Sequence, residues 1–172
     1  MRGPCISGEF ADKYLAIDLA GLTCALPVLQ IRELLHLRPL LPIPHSPPFL
    51  RGALVLRGRH LPVIDLRTRF ALPAALTDRS CLVVVSLLVA VDSILEFALV
   101  VDAVADVVSL AGGTVKPVAD SHPILDRDAL FGEVTLGERT FILLDLGRLF
   151  PPAVAADLAR QASAVAAATV SP

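Results

Sequence analysis

Leu50-Arg51-Gly52-Ala53-Leu54-Val55-Leu56 and Leu130-Phe131-Gly132-Glu133-Val134-Thr135-Leu136 decide how this chain is read. Each is a short apolar run with a glycine at its third position. Each is followed by a tight polar turn, Arg57-Gly58-Arg59 in one and Gly137-Glu138 in the other, and then by a returning apolar run. That is the signature of a β-hairpin. Both hairpins close on the same pattern, Asp65-Leu66 through Phe70 and Asp145-Leu146 through Phe150, in which the aspartate is placed to cap a short helical turn. Working outward, Ala25-Leu26-Pro27-Val28 through Glu33-Leu34 matches Ala98-Leu99-Val100-Val101 through Asp106-Val107. The offset drifts from 73 to 80 residues, too long for a solenoid unit. It points to two copies of one small β-unit, each of about five strands and curled to limit its exposed edges.

The remaining chain fits that frame. Residues 14–19 and 22–26 read as strands around Gly21, and residues 28–37 as a short helical turn passing into a strand. Five prolines between 39 and 48 make an extended loop, because proline has no N–H to give a ladder. Residues 73–80 are a polar linker; residues 81–91 and 94–101 are strands, with the apolar register continuing to 110. Residues 111–128 read as a long irregular loop. The expected class is mostly β: residues 12–150 form two lobes, about 12–75 and 80–150, with strands exchanged between them. An Ala-rich tail, 151–172, is helical or partly ordered.

Composition removes several functions. Of 172 residues, 55% are hydrophobic and 19% charged, which excludes a disordered chain. A net charge of −2, with seven Phe, one Tyr and no Trp, gives neither a basic field nor stacking platforms for nucleic acid. The longest apolar run, 81–91, is about half what a membrane span needs. Cys5, Cys24 and Cys81 are widely spaced, which suits a reducing cytoplasm. No nucleophile elbow, Walker loop or dinucleotide fingerprint occurs. The histidines, His36, His45, His60 and His122, lack metal-ligand spacing, and His45 and His60 read as exposed. Asp65, Asp102 and Asp145 end apolar strands and read as caps rather than catalytic acids. No enzyme, metal or cofactor is expected. Residues 31–70 carry a net +5, all of the excess from arginine, while residues 81–145 carry −7. This reads as a basic lobe and an acidic lobe, a polarity that orients protein partners.

The order of these motifs resembles the CheW family of bacterial chemotaxis adaptors. The matching runs are Tyr14-Leu15 through Gly21 to Ala25-Leu26-Pro27-Val28, then Ile31-Arg32-Glu33-Leu34, then the Pro-rich loop. Gly52 through Leu56-Arg57-Gly58 follows, and then Leu61-Pro62-Val63-Ile64-Asp65-Leu66-Arg67. The second half adds residues 99–104 and Leu143-Leu144-Asp145-Leu146. The resemblance covers about residues 12–150. It implies two intertwined barrels resembling Src-homology-3 domains and a non-catalytic, cytoplasmic scaffold. Such a scaffold couples the helical-hairpin tips of chemoreceptors to the regulatory domain of a CheA-type histidine kinase. By position, Ile31, Glu33, Arg57, Val104 and Val107 would line or flank a receptor groove between the lobes, with Arg57 pairing with a carboxylate. Pro42, Ile43 and Gly58 would face the kinase. Ordinary core packing is the competing reading of Ile31, Val104 and Val107. A ligand-sensing groove, or service to pili or second-messenger control, are the competing readings of the whole. Three features depart from the family pattern: Val55 where asparagine is usual, Ala98 where glycine is usual, and a segment, 87–97, that is several residues longer.

Overall fold

The computed structural model describes residues 12–118 and 130–170; Cys5, His122 and residues 119–128 of the expected 111–128 loop lie outside them. The first hairpin is β1 (Lys13–Leu19) and β2 (Leu22–Pro27). A 3-10 turn, Val28–Gln30, leads into β3 (Ile31–His36). The hairpin β4 (Leu50–Leu56) and β5 (Arg59–Asp65) runs into α1 (Leu66–Arg69). After the linker come β6 (Cys81–Ala90), β7 (Ser93–Val101) and β8 (Ala103–Ser109). A three-residue strand, β9 (Thr114–Lys116), interrupts what the sequence reads as irregular loop. Its apolar content is a single valine, too little to register as a period. The chain closes with β10 (Leu130–Leu136), β11 (Arg139–Leu144), α2 (Leu146–Leu149) and α3 (Pro152–Val170).

The strands form two mixed sheets, β8-β1-β2-β11-β10-β9 and β3-β6-β7-β5-β4. Neither sheet is built from one half of the chain. The β1–β2 hairpin sits with β8–β11, and the β6–β7 hairpin sits with β3–β5. Five strands of the first sheet match the five of the second, with the isolated Leu41–Ala53 bridge standing where β9 pairs with β10, and both sheets are joined at equivalent parallel seams: β2 beside β11 (Ala25 opposite Leu143) and β5 beside β7 (Val63 opposite Ala98). The repeated stretches repeat in conformation too. Both have a bulge between their first and third residues. Gly52 and Gly132 take φ of 147° and 151°, and a Cβ there would lie 2.6 Å from Leu41 O and 2.7 Å from Lys116 O. Only glycine fits that close approach without strain.

Most strands are buried on both faces, which is why they read as nearly unbroken apolar runs. Val83, Val85, Phe97, Leu99 and Val101 face a core shared between the sheets, where they meet Leu15, Ile17, Cys24, Leu26, Ile142 and Leu144. The alternate residues Leu82, Val84, Ala98 and Val100 face a second core with Leu54, Leu56, Leu61 and Val63. Ala16, Ala25, Phe141 and Leu143 face a third with Val134. Ala98, buried at the β5–β7 seam, fits the space where the family usually has glycine. Each fully buried aliphatic side chain stabilises by about 1.5–3 kcal/mol. Phe97 meets Phe150 edge-on, with ring centroids 5.0 Å apart.

The Ala-rich tail is ordered as α3. It lies mainly on β5 and buries Ala155, Leu158, Ala162 and Val165, an i, i+3, i+7, i+10 stripe. Asp65 and Asp145 act as the expected caps: Asp65 accepts from the backbone N–H of Arg67 and Thr68, and Asp145 from that of Arg148.

Candidate partner-binding site

Glu33 is in β3, at one end of its sheet. Arg57 is in the β4–β5 turn, at the other. In a flat sheet four strand intervals would separate these ends by about 19 Å. Yet Arg57 Nη1 donates to Glu33 Oε1 at 2.6 Å and Nη2 to Oε2 at 3.1 Å. The sheet is therefore curled enough for a bidentate Arg57–Glu33 pair to bridge its two ends. The turn aims the arginine: Arg57 (φ 49°) and Gly58 (φ 75°) both take left-handed conformations, as a tight two-residue hairpin requires. These hydrogen bonds lower the Glu33 pKa from its ordinary value and raise that of Arg57. The equivalent acid in the other sheet, Asp106, meets Arg139 of β11 at a looser 3.3 Å.

Ile31 and Val104 occupy equivalent positions in the edge strands β3 and β8. Ile31 lies opposite Val85 and Val104 opposite Ile17, each beside a bulge. Both are half-buried against the shared core. Val107, further along β8, is exposed. Gln30, just before Ile31, keeps its Oε1 buried with no hydrogen-bond partner among the described residues.

The residues expected to face the kinase do not gather in one place. Gly58 sits beside the Glu33–Arg57 clasp. Pro42 is exposed and Ile43 half-buried at the far end of β4, where the bridge from Leu41 to Ala53 holds the Pro-rich loop. There Leu41, Pro42, Ile43 and Pro44 form one wall of an apolar cleft of about 460 Å³, and Gln161, Ala164 and Val165 of α3 form the other.

The separate basic and acidic lobes are a correction. Because β3–β5 and β6–β7 share a sheet, their charges meet: Arg59 pairs with Glu96, and Arg67 with Asp65 and Asp102. Glu96 entered the sequence reading only as one of the acids of residues 81–145, although a lone acid within an apolar strand was a signal of a paired site. His60, read as exposed, is half-buried in a cleft that Arg32, Arg59 and Glu96 also line.

Burial raises the Cys24 pKa to about 12, so its thiol is inert at neutral pH. No group of three candidate metal ligands occurs among the described residues. No described helix is long and apolar enough to cross a membrane.

These features define a β-rich protein of two mixed sheets over a shared core, with half-covered apolar edge residues and charged clasps at its surface. The chain belongs to the CheW-like domain family, whose model matches residues 13–153. It is 30% identical over 150 residues to a chemotaxis protein CheW of Klebsiella aerogenes, covering 84% of this chain and 85% of that one. It is 31% identical over 124 residues to a probable chemotaxis protein CheW of Rhizobium etli, covering 72% and 77%. Its fold matches the crystal structure of the scaffolding protein TtCheW from Thermoanaerobacter tengcongensis with a TM-score of 0.71. That match has 25% identity and covers 87% of this chain and 94% of the other. The family is one of non-catalytic scaffolds of chemotaxis.

Proposed function

We propose that this chain couples the cytoplasmic tips of chemoreceptors to the regulatory domain of a CheA-type histidine kinase, in the cytoplasm beneath membrane-held receptors. In this reading its two curled sheets act as intertwined barrels resembling Src-homology-3 domains. The receptor's helical hairpin lays its apolar face along the seam between them, a helix-in-groove mode. Ile31, Val104 and Val107 give the apolar contact, and the Glu33–Arg57 clasp fixes one rim. The kinase is met at two separate places along β4, Pro42 and Ile43 near its start and Gly58 at its hairpin turn.

The observation that carries the reading is the equivalence of Ile31 and Val104. Both rest on the shared core and both leave part of an aliphatic side chain uncovered at an edge strand. The test is calorimetric titration against a CheA regulatory domain, and separately a receptor-tip fragment, from the same genome. Saturable one-to-one binding to each is expected. Folded protein that binds neither refutes the proposal.

A further inference from the structure

One face of the β6–β7 hairpin carries two rows of side chains. Ser86 is opposite Glu96 and Leu88 opposite Ile94, with the rows about 7 Å apart. The first row is polar and tied to its neighbours: Arg32 Nε of β3 donates to Ser86 Oγ at 3.0 Å, and Arg59 of β5 pairs with Glu96. The second row is apolar and uncovered, Leu88 being 68% and Ile94 59% exposed. A cleft of about 380 Å³ opens beside them, lined in part by Arg32, Arg59, His60, Glu96 and Ile94, and by Ser163 of α3.

The arginines at this end of the sheet are not alike. Arg57 is held by Glu33 and Arg59 by Glu96. Arg32 meets no carboxylate among the described residues, and the one hydrogen bond of its guanidinium goes to a neutral hydroxyl. Three arginines against two glutamates leave one positive charge, and it rests on Arg32. Ser86 takes only Nε, so the edge formed by Nη1 and Nη2 is free to hold both oxygens of a carboxylate. One leftover charge matches a monoanion. A phosphate dianion would exceed it, and Glu33 and Glu96 would repel the excess. A solvated arginine by itself is ordinary; an unpaired one at the head of an uncovered aliphatic row marks a contact surface.

We infer that this face binds an acidic side chain of a partner protein: Arg32 takes the carboxylate of a glutamate or aspartate, and Leu88 and Ile94 cover the aliphatic residues that flank it. Charge complementarity selects the acid, and length selects a protein segment over a free acid. The apolar row runs on to Val91, 91% exposed at the turn and about 16 Å along the strand from Ser86, farther than a short aliphatic acid seated on Arg32 reaches. The receptor-groove reading is not needed here. Ile31 lies opposite Val85, which faces the shared core on the other side of β6.

The test follows the isotopically labelled full chain by NMR while it is titrated with three probes: the peptide acetyl-Ala-Leu-Glu-Leu-Ala-amide, its glutamine counterpart, and hexanoate. Thermal melts and sedimentation of the parent and of the Arg32→Ala and Leu88→Ser/Ile94→Ser variants accompany it. Because these side chains are exposed, the melts should coincide. The glutamate peptide should shift the signals of Ser86, Leu88 and Ile94 saturably, and bind about tenfold or more tighter than either other probe, the worth of a charge-assisted pair or of the aliphatic contacts. Each variant should lose that advantage. Equal binding of the glutamate and glutamine peptides, no binding of the glutamate peptide, or an Arg32→Ala protein that binds it as the parent does overturns the inference. Hexanoate binding as tightly as the glutamate peptide makes this a site for small acids and overturns the protein occupant. A parent dimer that Arg32→Ala abolishes assigns the face to a second copy of this chain and also overturns it.

Discussion

Replacing Arg67 by alanine strands two carboxylates. The Arg67 side chain is fully buried, as is that of Asp65, and that of Asp102 is 20% exposed. The guanidinium reaches Asp65 through Nε at 3.0 Å and Nη2 at 2.9 Å, Asp102 through Nη1 at 2.7 Å, and the Ala75 carbonyl at 2.7 Å. The Asp65 hydrogen bonds are the largest influence holding the Arg67 pKa above its ordinary value; burial opposes them. Asp102 in turn accepts the Ala20 backbone N–H at 2.6 Å. One guanidinium thus ties β5 and α1 of one sheet, through Asp102, to the β1–β2 turn of the other. Removing one member of a buried pair costs about 3–5 kcal/mol, because the carboxylates that remain lose their counter-charge and keep only backbone N–H donors, those of Arg67 and Thr68 for Asp65 and of Ala20 for Asp102. For a domain of this size that lowers the melting midpoint by about 6–20 °C, at about 2–4 °C per kcal/mol. Circular-dichroism melts and urea titrations read the loss directly. Arg67→Met separates charge from packing: it restores volume but leaves both acids unpaired, so it should melt almost as low as the alanine variant. An Arg67→Ala protein within about 2 °C of the parent, or a methionine variant that recovers the loss, would refute the argument.

Gly52→Ala should destabilise by about 1–3 kcal/mol or more, since its Cβ would meet the Leu41 carbonyl in a backbone region closed to side chains. A melt equal to the parent's would mean that the bulge relaxes freely. Arg57→Glu opposes Glu33 with a like charge at an exposed site. The midpoint should move by no more than about 2 °C, while coupling to receptor or kinase weakens; an undiminished complex would take Arg57 out of the site. Cys24 should resist alkylation until the protein unfolds. Its folded pKa is raised, so its contribution is fully present below the ordinary thiol range and is lost as pH climbs from there toward about 12. Labelling of folded protein at Cys24 at pH 8, mapped by mass spectrometry, would contradict this.

What the sequence makes legible here is local. The hairpins follow from apolar runs broken by Arg57-Gly58 and Gly137-Glu138, and the caps from Asp65 and Asp145 before four-residue turns. The Glu33–Arg57 contact joins two residues that the family resemblance singles out. Strand pairing is different in kind. A strand such as 81–90 is apolar on both faces, so its pattern does not say which neighbour it takes. The β2–β11 and β5–β7 seams join residues far apart in the chain, and nothing local marks Ala25 for Leu143 or Val63 for Ala98. The charge split misled for the same reason: it assumed that neighbours in sequence share a surface. Once β6 and β7 enter the sheet of β3–β5, Glu96 and Asp102 lie beside Arg59 and Arg67, and these two pairs neutralise part of the apparent polarity within the fold.

The exchanged hairpins also explain why the candidate site lies where it does. Two equivalent units joined merely side by side would bury their contact faces and leave ordinary edges outside. Here each unit lends its first hairpin to the other, so the shared core runs between the sheets and is capped at its rim by edge strands from both halves. Ile31 and Val104 are equivalent positions of the repeat, each in an edge strand and each half-buried on the shared core. Divergence of the two copies then does what symmetry cannot. The tight Glu33–Arg57 pair against the looser Asp106–Arg139 pair, and the ten-residue β6 against the seven-residue β1, give the seam two unlike ends. In the proposed receptor reading, a partner helix would meet a direction as well as a groove.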